Sequence, residues 1–253
     1  ILYRTNAQSR SFEEALRKLN LPYKIYGGLS FYQRKEIKDL LGYFRLTANP
    51  QDEEALKRVI NYPKRGIGKT SIEKIIVAAN HYDIGLWDVL SDPVKYPCGL
   101  AGATQNKINA FVTAIKSYRV ELEKIDGYEL AQTIAKSSGI LKELYDDKSP
   151  EGVSRYENIQ ALLAGIKEFT ESTAEGETAF LREFMVDVAL LTDAGDEKDE
   201  YKDKITLMTI HASKGLEFPY VHIVGLEENL FPSQMALNSR SELEEERRLF
   251  YVA

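Results

Sequence analysis

Four polar side chains crowd into one short connection, from His211 to Pro219, where they could hold a ligand. His211, Ser213, Lys214 and Glu217 supply donors, acceptors and charge. Gly215 lies among them and allows a ligand to approach the backbone closely. An ordinary surface loop has a similar composition, so the residue types alone leave a structural and a ligand-binding interpretation open.

Two β-prone segments flank this connection and must position it. Residues 205–210 alternate in side-chain character, and residues 220–224 are rich in β-branched and aromatic types, so we predict a strand in each. Ligands of α/β sheets usually bind where such strands end. The sequence therefore predicts a site at the end of the strand over 205–210.

A second candidate site is basic. Between Lys57 and Lys74 there are six basic residues and one acid, although the whole chain has a net charge of −6. The Gly66-Ile67-Gly68 turn lies in this segment between two predicted helices, over residues 52–61 and from Thr70 onward, with a capping box predicted at Thr70. Such a turn can direct backbone N–H groups at a DNA phosphate, or it can be a plain helical hairpin with a solvated basic turn.

A nearby match to a phosphate-binding loop is a false one. Gly68-Lys69-Thr70 resembles the end of a Walker A loop, but Pro63 occupies the place of its first glycine, and a helix is predicted before the turn where a strand is needed. We predict no ATP site there.

The composition is typical of a globular protein in a reducing compartment. The 253 residues are 43% hydrophobic and 28% charged, and Cys98 is the one cysteine, which excludes a disulfide framework. No apolar run is long enough to span a bilayer, so we expect a cytoplasmic protein without membrane contact. His81 and His222 lack partners at metal-ligand spacing, so no metal site is predicted. Ile1 to Tyr3 resembles the middle of a strand, and we expect that both ends were cut from a longer chain.

Helical periodicity dominates the middle of the chain. Apolar stripes predict helices over residues 10–20, 31–46, 104–125, 128–137, 156–170 and 178–191, and the stripe of 31–46 is expected to carry charged residues on its outer face. A short strand is predicted over 23–26. Residues 193–203 are acidic and lack periodicity, which favours a mobile linker.

Five segments, among them the Gly66-Ile67-Gly68 turn, resemble features of the UvrD/PcrA-like helicases of superfamily 1, in the order of that family. The segment T-x-H-x-x-K-G-L-E-F at residues 209–218 closely resembles motif V, and RTNAQSR at 4–10 resembles the segment after motif IV. Residues 32–39 resemble the F-x-R-x-E-I-K-D signature at the entry to an inserted domain. SELEEERRLFYVA at 241–253 resembles the start of motif VI, and the chain stops before the arginine finger of that motif.

The resemblance implies an α/β fold made of a partial RecA-like motor domain with a large, mostly α-helical inserted domain. Residues 1–28 and 204–253 would form the motor domain called 2A, and residues 29–203 the inserted domain 2B. The first, N-terminal motor domain, with its Walker motifs, would be missing. ATP and Mg²⁺ would bind in the parent protein, with none expected to be tightly bound to this chain.

Residue roles follow from the same resemblance. Glu217, beside Gly215, would accept hydrogen bonds from the nucleotide ribose. Arg4, Asn6 and His211 would hold single-stranded DNA, although Arg4 and Asn6 also fit a simple N-cap and turn cluster. The residues expected to hold duplex DNA are Lys64, Arg65, Gly66, Ile67, Gly68 and Thr70.

The predicted function is that of a C-terminal fragment of an ATP-dependent 3′–5′ DNA helicase, which translocates on single-stranded DNA and unwinds duplex in repair or replication. The fragment alone is expected to be inactive. Two alternatives remain open: a non-catalytic module for binding DNA or a partner, and part of a helicase–nuclease of the RecB or AddA kind.

Overall fold

A computed structural model describes residues 1–173, 177–193, 204–233 and 236–253. Its three strands are β1 (Leu2–Tyr3), β2 (Tyr23–Ile25) and β3 (Ile205–Thr209). The helices of the described residues are α1 (Ser9–Lys18), α2 (Lys35–Ala48), α3 (Glu53–Val59), α4 (Lys69–Tyr82), α5 (Leu86–Ser91), α6 (Gly102–Glu121), α7 (Gly127–Ser137), α8 (Ile140–Asp146), α9 (Pro150–Glu171), α10 (Leu181–Asp193), α11 (Ile210–Ser213) and α12 (Arg240–Val252). The protein is therefore α/β, with most of its regular structure helical.

The strands form one parallel sheet with the order β1-β3-β2. Leu2 and Tyr3 pair with Met208 and Thr209 on one side of β3, and β2 pairs with the first half of β3 on the other. Because β3 comes late in the chain and lies between two early strands, the sheet joins the two ends of the sequence.

Alternating side chains bury both faces of this sheet. Leu2 and Met208 point to one face, where Leu249 of α12 packs against them. Tyr3 and Leu207 point to the other face. The side chains of α1 that cover that second face are Phe12 and Leu16. Burial on both faces is typical of parallel sheets and explains the apolar character of β3.

The prediction of a strand over 220–224 is wrong. This segment forms a single isolated bridge, between Leu2 and Ile223. Its hydrogen bonds run from Leu2 N to His222 O (2.8 Å) and from Val224 N to Leu2 O (3.0 Å). The partner strand β1 contains only two residues, so a longer ladder has no partner. The strand predicted over 205–210 also ends one residue early, because Thr209 caps α11 by accepting from Ala212 N.

The helical part is built around α2, whose Ile37, Leu40 and Phe44 are fully buried. The predicted helices are all present with shifted ends. For example, α9 begins at Pro150, six residues before its apolar stripe, because Ser149 accepts a hydrogen bond from Gly152 N and proline suits the first helical turn.

The expectation of a charged outer face on α2 is partly wrong. Glu36 and Asp39 are buried, at 6% and 3% exposed. Glu36 accepts a hydrogen bond from Asn158 (2.6 Å), and Asp39 pairs with Arg58 (3.0 Å). A buried carboxylate needs such partners, and these lie on α9 and α3, where the sequence spacing gives no indication of them.

The chain divides into two compact units. Unit 1 contains residues 1–34 and 190–253, and unit 2 contains residues 35–189. The predicted domain boundaries at 28 and 203, and the RecA-like nature of the sheet, stay predictions. The linker predicted over 193–203 lies almost wholly outside the described residues. None of the helices described is both long and apolar enough to cross a bilayer.

Candidate functional site

Unit 1 brings Arg4 and His211 to one edge of the sheet. Tyr3 and Thr209 are register partners in parallel strands, and both strands end there. Arg4 follows Tyr3 directly, and His211 follows Thr209 by two residues within the short helix α11. The predicted site at the strand ends is thus assembled from both ends of the chain.

Arg4 makes an ion pair that the sequence did not suggest. Its Nε donates to both carboxylate oxygens of Glu246 in α12, at 3.1 and 3.0 Å, and its Nη2 donates to Oε1 at 2.7 Å. The side chains of Arg4 and Glu246 are 23% and 7% exposed. A fork of charge-assisted hydrogen bonds therefore fixes the Arg4 guanidinium.

The backbone after Arg4 is shaped by Gln8. Its Oε1 accepts hydrogen bonds from the N–H groups of Arg4 and Thr5, both at 2.9 Å. A Cβ at Gly225 would lie 2.1 Å from Gln8 Nε2, and Gly225 has a φ of +69°. The backbone conformation favours glycine at this position, and a larger residue would displace the amide group of Gln8. Gln8 and Gly225 together hold the turn over 5–8 in place.

Asn6 occupies that turn with its side chain exposed. The carbonyl oxygen of Asn6 accepts from Arg34 Nη1 at 2.8 Å, and Arg34 Nη2 donates to Ser9 Oγ at 2.7 Å. Ser9 in turn donates to the buried carboxylate of Glu13 at 2.8 Å. A buried polar network thus holds the backbone of Asn6 and leaves its amide side chain available.

His211 is exposed to solvent, and neighbouring charges affect the pKa of its imidazole. Partial burial, followed by the positive charge of Arg4, lowers the pKa of His211 below its ordinary value, while Glu246 opposes them. His211 is therefore neutral near pH 7 and can donate one hydrogen bond and accept another.

The loop after α11 exposes Gly215 and Glu217. Gly215 has a φ of +80°, and a Cβ there would meet no atom within 4 Å. Within the described ranges, the Glu217 carboxylate has neither a hydrogen bond nor an ion pair, so it can accept from a ligand hydroxyl. Both residues predicted to contact the nucleotide ribose are thus accessible, and that role stays a prediction.

In unit 2, the Gly66–Gly68 turn is fixed from inside. Asn61 Oδ1 accepts hydrogen bonds from the N–H groups of Arg65 (3.1 Å) and Ile67 (3.0 Å). The Ile67 side chain is fully buried and anchors the turn. Gly66 has a φ of +73°, which only glycine adopts readily. The N–H groups of Arg65 and Ile67 are thereby occupied, and the Ile67 side chain is buried, so the predicted DNA contact of Ile67 has no free donor in this turn.

The guanidinium of Arg65 points into unit 2. It donates to Val59 O at 3.0 Å and Pro63 O at 3.2 Å, and it lies 5.2 Å from the Phe111 ring centroid. It also donates to the hydroxyl of Tyr43. Burial raises the pKa of Tyr43 to about 12, so that hydroxyl keeps its proton. Arg65 thus stabilises the turn, and its contact with DNA stays an untested prediction.

The outer side of the turn offers free backbone donors. The N–H groups of Gly68, Lys69 and Thr70 open α4 and have no backbone acceptor in the described ranges. Gly68 is the N-cap, so the capping box predicted at Thr70 is wrong: Thr70 lies inside the first turn, where its side chain cannot cap. The element before the turn is the helix α3, as predicted; a Walker A loop would need a strand there.

Lys107 joins this surface from α6, which the sequence did not indicate. Its Nζ lies 2.8 Å from the position that a Cβ would take at Gly66. Lys64, Lys69 and Lys107 are all exposed. Lys57 and Arg58 of the basic segment form ion pairs with Glu53 and Asp39, and Lys69 lies 4.0 Å from Glu73 Oε1 with its side chain 92% exposed. The positive charge at the turn comes from a different set of residues than the sequence segment indicated.

Comparison with known proteins shows the family of this chain. The model of the UvrD-like helicase C-terminal domain matches residues 1–253, and the chain belongs to this family. Among its relatives are DNA helicase II of Salmonella typhimurium, 39% identical over 252 residues, and the ATP-dependent DNA helicase PcrA of Staphylococcus epidermidis, 43% identical over 255 residues. PcrA of Bacillus subtilis is 43% identical over 257 residues.

These alignments cover all of this chain and 34–35% of each of those relatives. The chain thus spans about a third of the length of the curated helicases that it matches.

Proposed function

We propose that the chain is the C-terminal part of a cytoplasmic ATP-dependent DNA helicase that moves 3′ to 5′ along single-stranded DNA and unwinds duplex in repair or replication. The observation that carries this proposal is the meeting of Arg4 and His211 at one sheet edge. Two motif segments from opposite ends of the sequence thereby supply polar side chains to the same edge of the sheet.

Single-stranded DNA would bind at this edge. The Nη1 group and the outer N–H of Nη2 of Arg4 make no hydrogen bond within the described residues, so a backbone phosphate can accept from them. The amide of Asn6 and the neutral imidazole of His211 supply uncharged donors. Contacts of this kind bind the DNA backbone and carry little sequence preference.

The nucleotide would be held partly by this chain. Glu217 would accept hydrogen bonds from the ribose hydroxyls, with Gly215 allowing close approach. Hydrolysis of ATP, bound with Mg²⁺, would supply the free energy for movement along DNA. The phosphate-binding elements would come from an N-terminal motor domain of the same chain. The role of the described residues is to orient the nucleoside.

Duplex DNA would bind at the Gly66–Gly68 turn of unit 2. Lys64, Lys69 and Lys107 supply positive charge, and the N–H groups of Gly68 and Thr70 face outward at the positive end of α4. This surface would contact phosphates and not bases. We therefore expect an affinity for duplex DNA that is weak, salt-dependent and independent of sequence.

The two binding surfaces lie in different units, so single variants should separate their ligands. We expect His211→Ala to lower single-strand affinity about fivefold, the loss of one modest hydrogen bond, and to leave duplex affinity unchanged. Lys64→Glu should do the reverse. Fluorescence anisotropy with labelled oligonucleotides measures both, and His222→Ala and Lys116→Glu are the matched controls, since both residues are exposed outside these surfaces.

Equal losses of both ligands in both variants, with folding intact, would contradict the assignment of one ligand to each unit. No loss in either variant would contradict both surfaces.

A further inference from the structure

We propose that Glu246 is a positioning residue for single-stranded DNA: it binds one edge of the Arg4 guanidinium and so presents the opposite edge to a backbone phosphate. This inference rests on the single-strand site proposed above. It concerns a residue of α12 that none of the binding motifs marks as a DNA contact, and it assigns Glu246 an indirect part in binding.

The geometry shows which edge of Arg4 is held. Nε contacts both oxygens of Glu246, at 3.1 and 3.0 Å, and Nη2 contacts Oε1 at 2.7 Å. In the described chain, Nη1 has no hydrogen-bond acceptor. A guanidinium is planar, so fixing the Nε and Nη2 side also fixes the direction of the Nη1 side.

Burial makes this orientation stable. Glu246 is 7% exposed, against 69% for its neighbour Glu245 and 44% for Glu244. A carboxylate removed from water is costly without partners, so Glu246 keeps the guanidinium beside it. The exposed pair between Glu245 and Arg248 contributes little by comparison.

The helix α12 supplies this carboxylate from a rigid position. Leu249, one turn beyond Glu246, packs with Leu2 and Met208 on one face of the sheet. Gln8 fixes the backbone N–H of Arg4 from the other direction. Both ends of the Arg4 side chain are therefore held, which lowers the entropy lost when a phosphate binds.

The test uses the 253-residue chain and the variant Glu246→Gln, with Glu245→Gln as its matched control. Both changes remove one negative charge from α12, which alone would leave DNA affinity unchanged or raise it. If Glu246 positions Arg4, only Glu246→Gln should lower the affinity for oligo-dT. We expect binding about fivefold weaker, because one charge-assisted contact is lost. The slope of log K against log salt should also flatten by about 0.7, one phosphate contact on a single strand.

Arg4→Lys tests the proposed site itself, since it keeps the charge but cannot form the fork. It should weaken binding by a similar factor. If Arg4→Lys weakens binding but Glu246→Gln matches Glu245→Gln, positioning fails and the single-strand site stands. If neither variant changes binding, the role of Arg4 in the single-strand site fails together with the positioning role.

An NMR titration of His211 separates positioning from simple unfolding. The burial that lowers its pKa persists in Glu246→Gln only if the strand ends and α11 remain packed. We expect the pKa of His211 to stay below its ordinary value in that variant. A return to the ordinary value would show that Glu246 only holds the fold together, and would overturn the proposal.

Discussion

Arg4 and Arg65 are both predicted from motifs to contact DNA, and their surroundings give them different tasks. Arg4 has one edge bound by Glu246, and its other edge has no hydrogen-bond partner among the described residues. The Arg65 guanidinium donates hydrogen bonds to Val59 O, Pro63 O and other internal acceptors, so it stabilises the turn from inside unit 2. The residue type gives the charge, but only the packed neighbours decide where the charge is available.

Acidification should destabilise unit 1 through His211. Its pKa is lowered on folding, first by burial and then by Arg4, so the unfolded chain binds more protons than the folded one between the two pKa values. The unfolding free energy therefore falls as the pH drops through the ordinary histidine pKa, and this loss ends below the lowered pKa.

His211→Gln should remove that part of the acid sensitivity. Urea unfolding of both proteins, followed by circular dichroism at pH values above and below the ordinary histidine pKa, measures the difference. His222→Gln is the control for the change of residue type. An identical pH dependence in His211→Gln and in the unaltered chain would contradict the lowered pKa.

At the scale of elements, periodicity predicted the helices because each buries one apolar stripe, and the pattern is local. The order β1-β3-β2 was not predictable in this way, since it pairs residues from both ends of the chain. The same holds for the failed strand over 220–224, because whether it forms depends on the length of β1. Glu246 and Lys107 were missed as parts of the sites for that reason, since each acts on a residue distant in sequence. Gln8 forms a local capping box with Thr5, a pattern that the sequence does carry.

The turn over 5–8 should depend on Gly225. Gly225→Ala places a Cβ 2.1 Å from Gln8 Nε2 at a φ of +69°, so Gln8 must leave the N–H groups of Arg4 and Thr5. We expect unfolding to be easier by roughly 1–3 kcal/mol, the sum of backbone strain and lost hydrogen bonds. Urea unfolding followed by circular dichroism measures this loss.

Gly99→Ala is the matched control for Gly225→Ala. Gly99 has a φ of +64°, and a Cβ there would meet no atom within 4 Å, so this variant carries backbone strain alone. A loss in Gly225→Ala no larger than that in Gly99→Ala would show that Gln8 is not held by Gly225.

At the scale of the whole molecule, a net charge of −6 repels DNA, and binding must come from local sites. In our proposal each unit supplies one: the strand-end edge with Arg4 and His211, and the turn with Lys64, Lys69 and Lys107. Most other cations near the turn are paired or turned inward, as Arg58 and Arg65 are. The exposed positive charge in the structure is therefore confined to fewer residues than the basic segment of the sequence suggests.

The most direct test of the account is the salt dependence of duplex binding by the intact chain. Three phosphate contacts, from Lys64, Lys69 and Lys107, predict a slope of log K against log salt of about −2.7. Changing Lys64→Glu and Lys107→Glu together should flatten the slope by about two units, since two of the contacts are lost.

Lys116→Glu on α6 is the control and should leave the slope unchanged, because Lys116 lies two and a half turns beyond Lys107, at about 3.6 residues a turn. The measurement is a set of duplex titrations at several salt concentrations, with two unrelated sequences to check that affinity does not depend on sequence. A flattened slope in the double variant alone is the predicted result. A slope that the double variant leaves unchanged would contradict the claim that unit 2 binds duplex DNA through the Gly66–Gly68 turn.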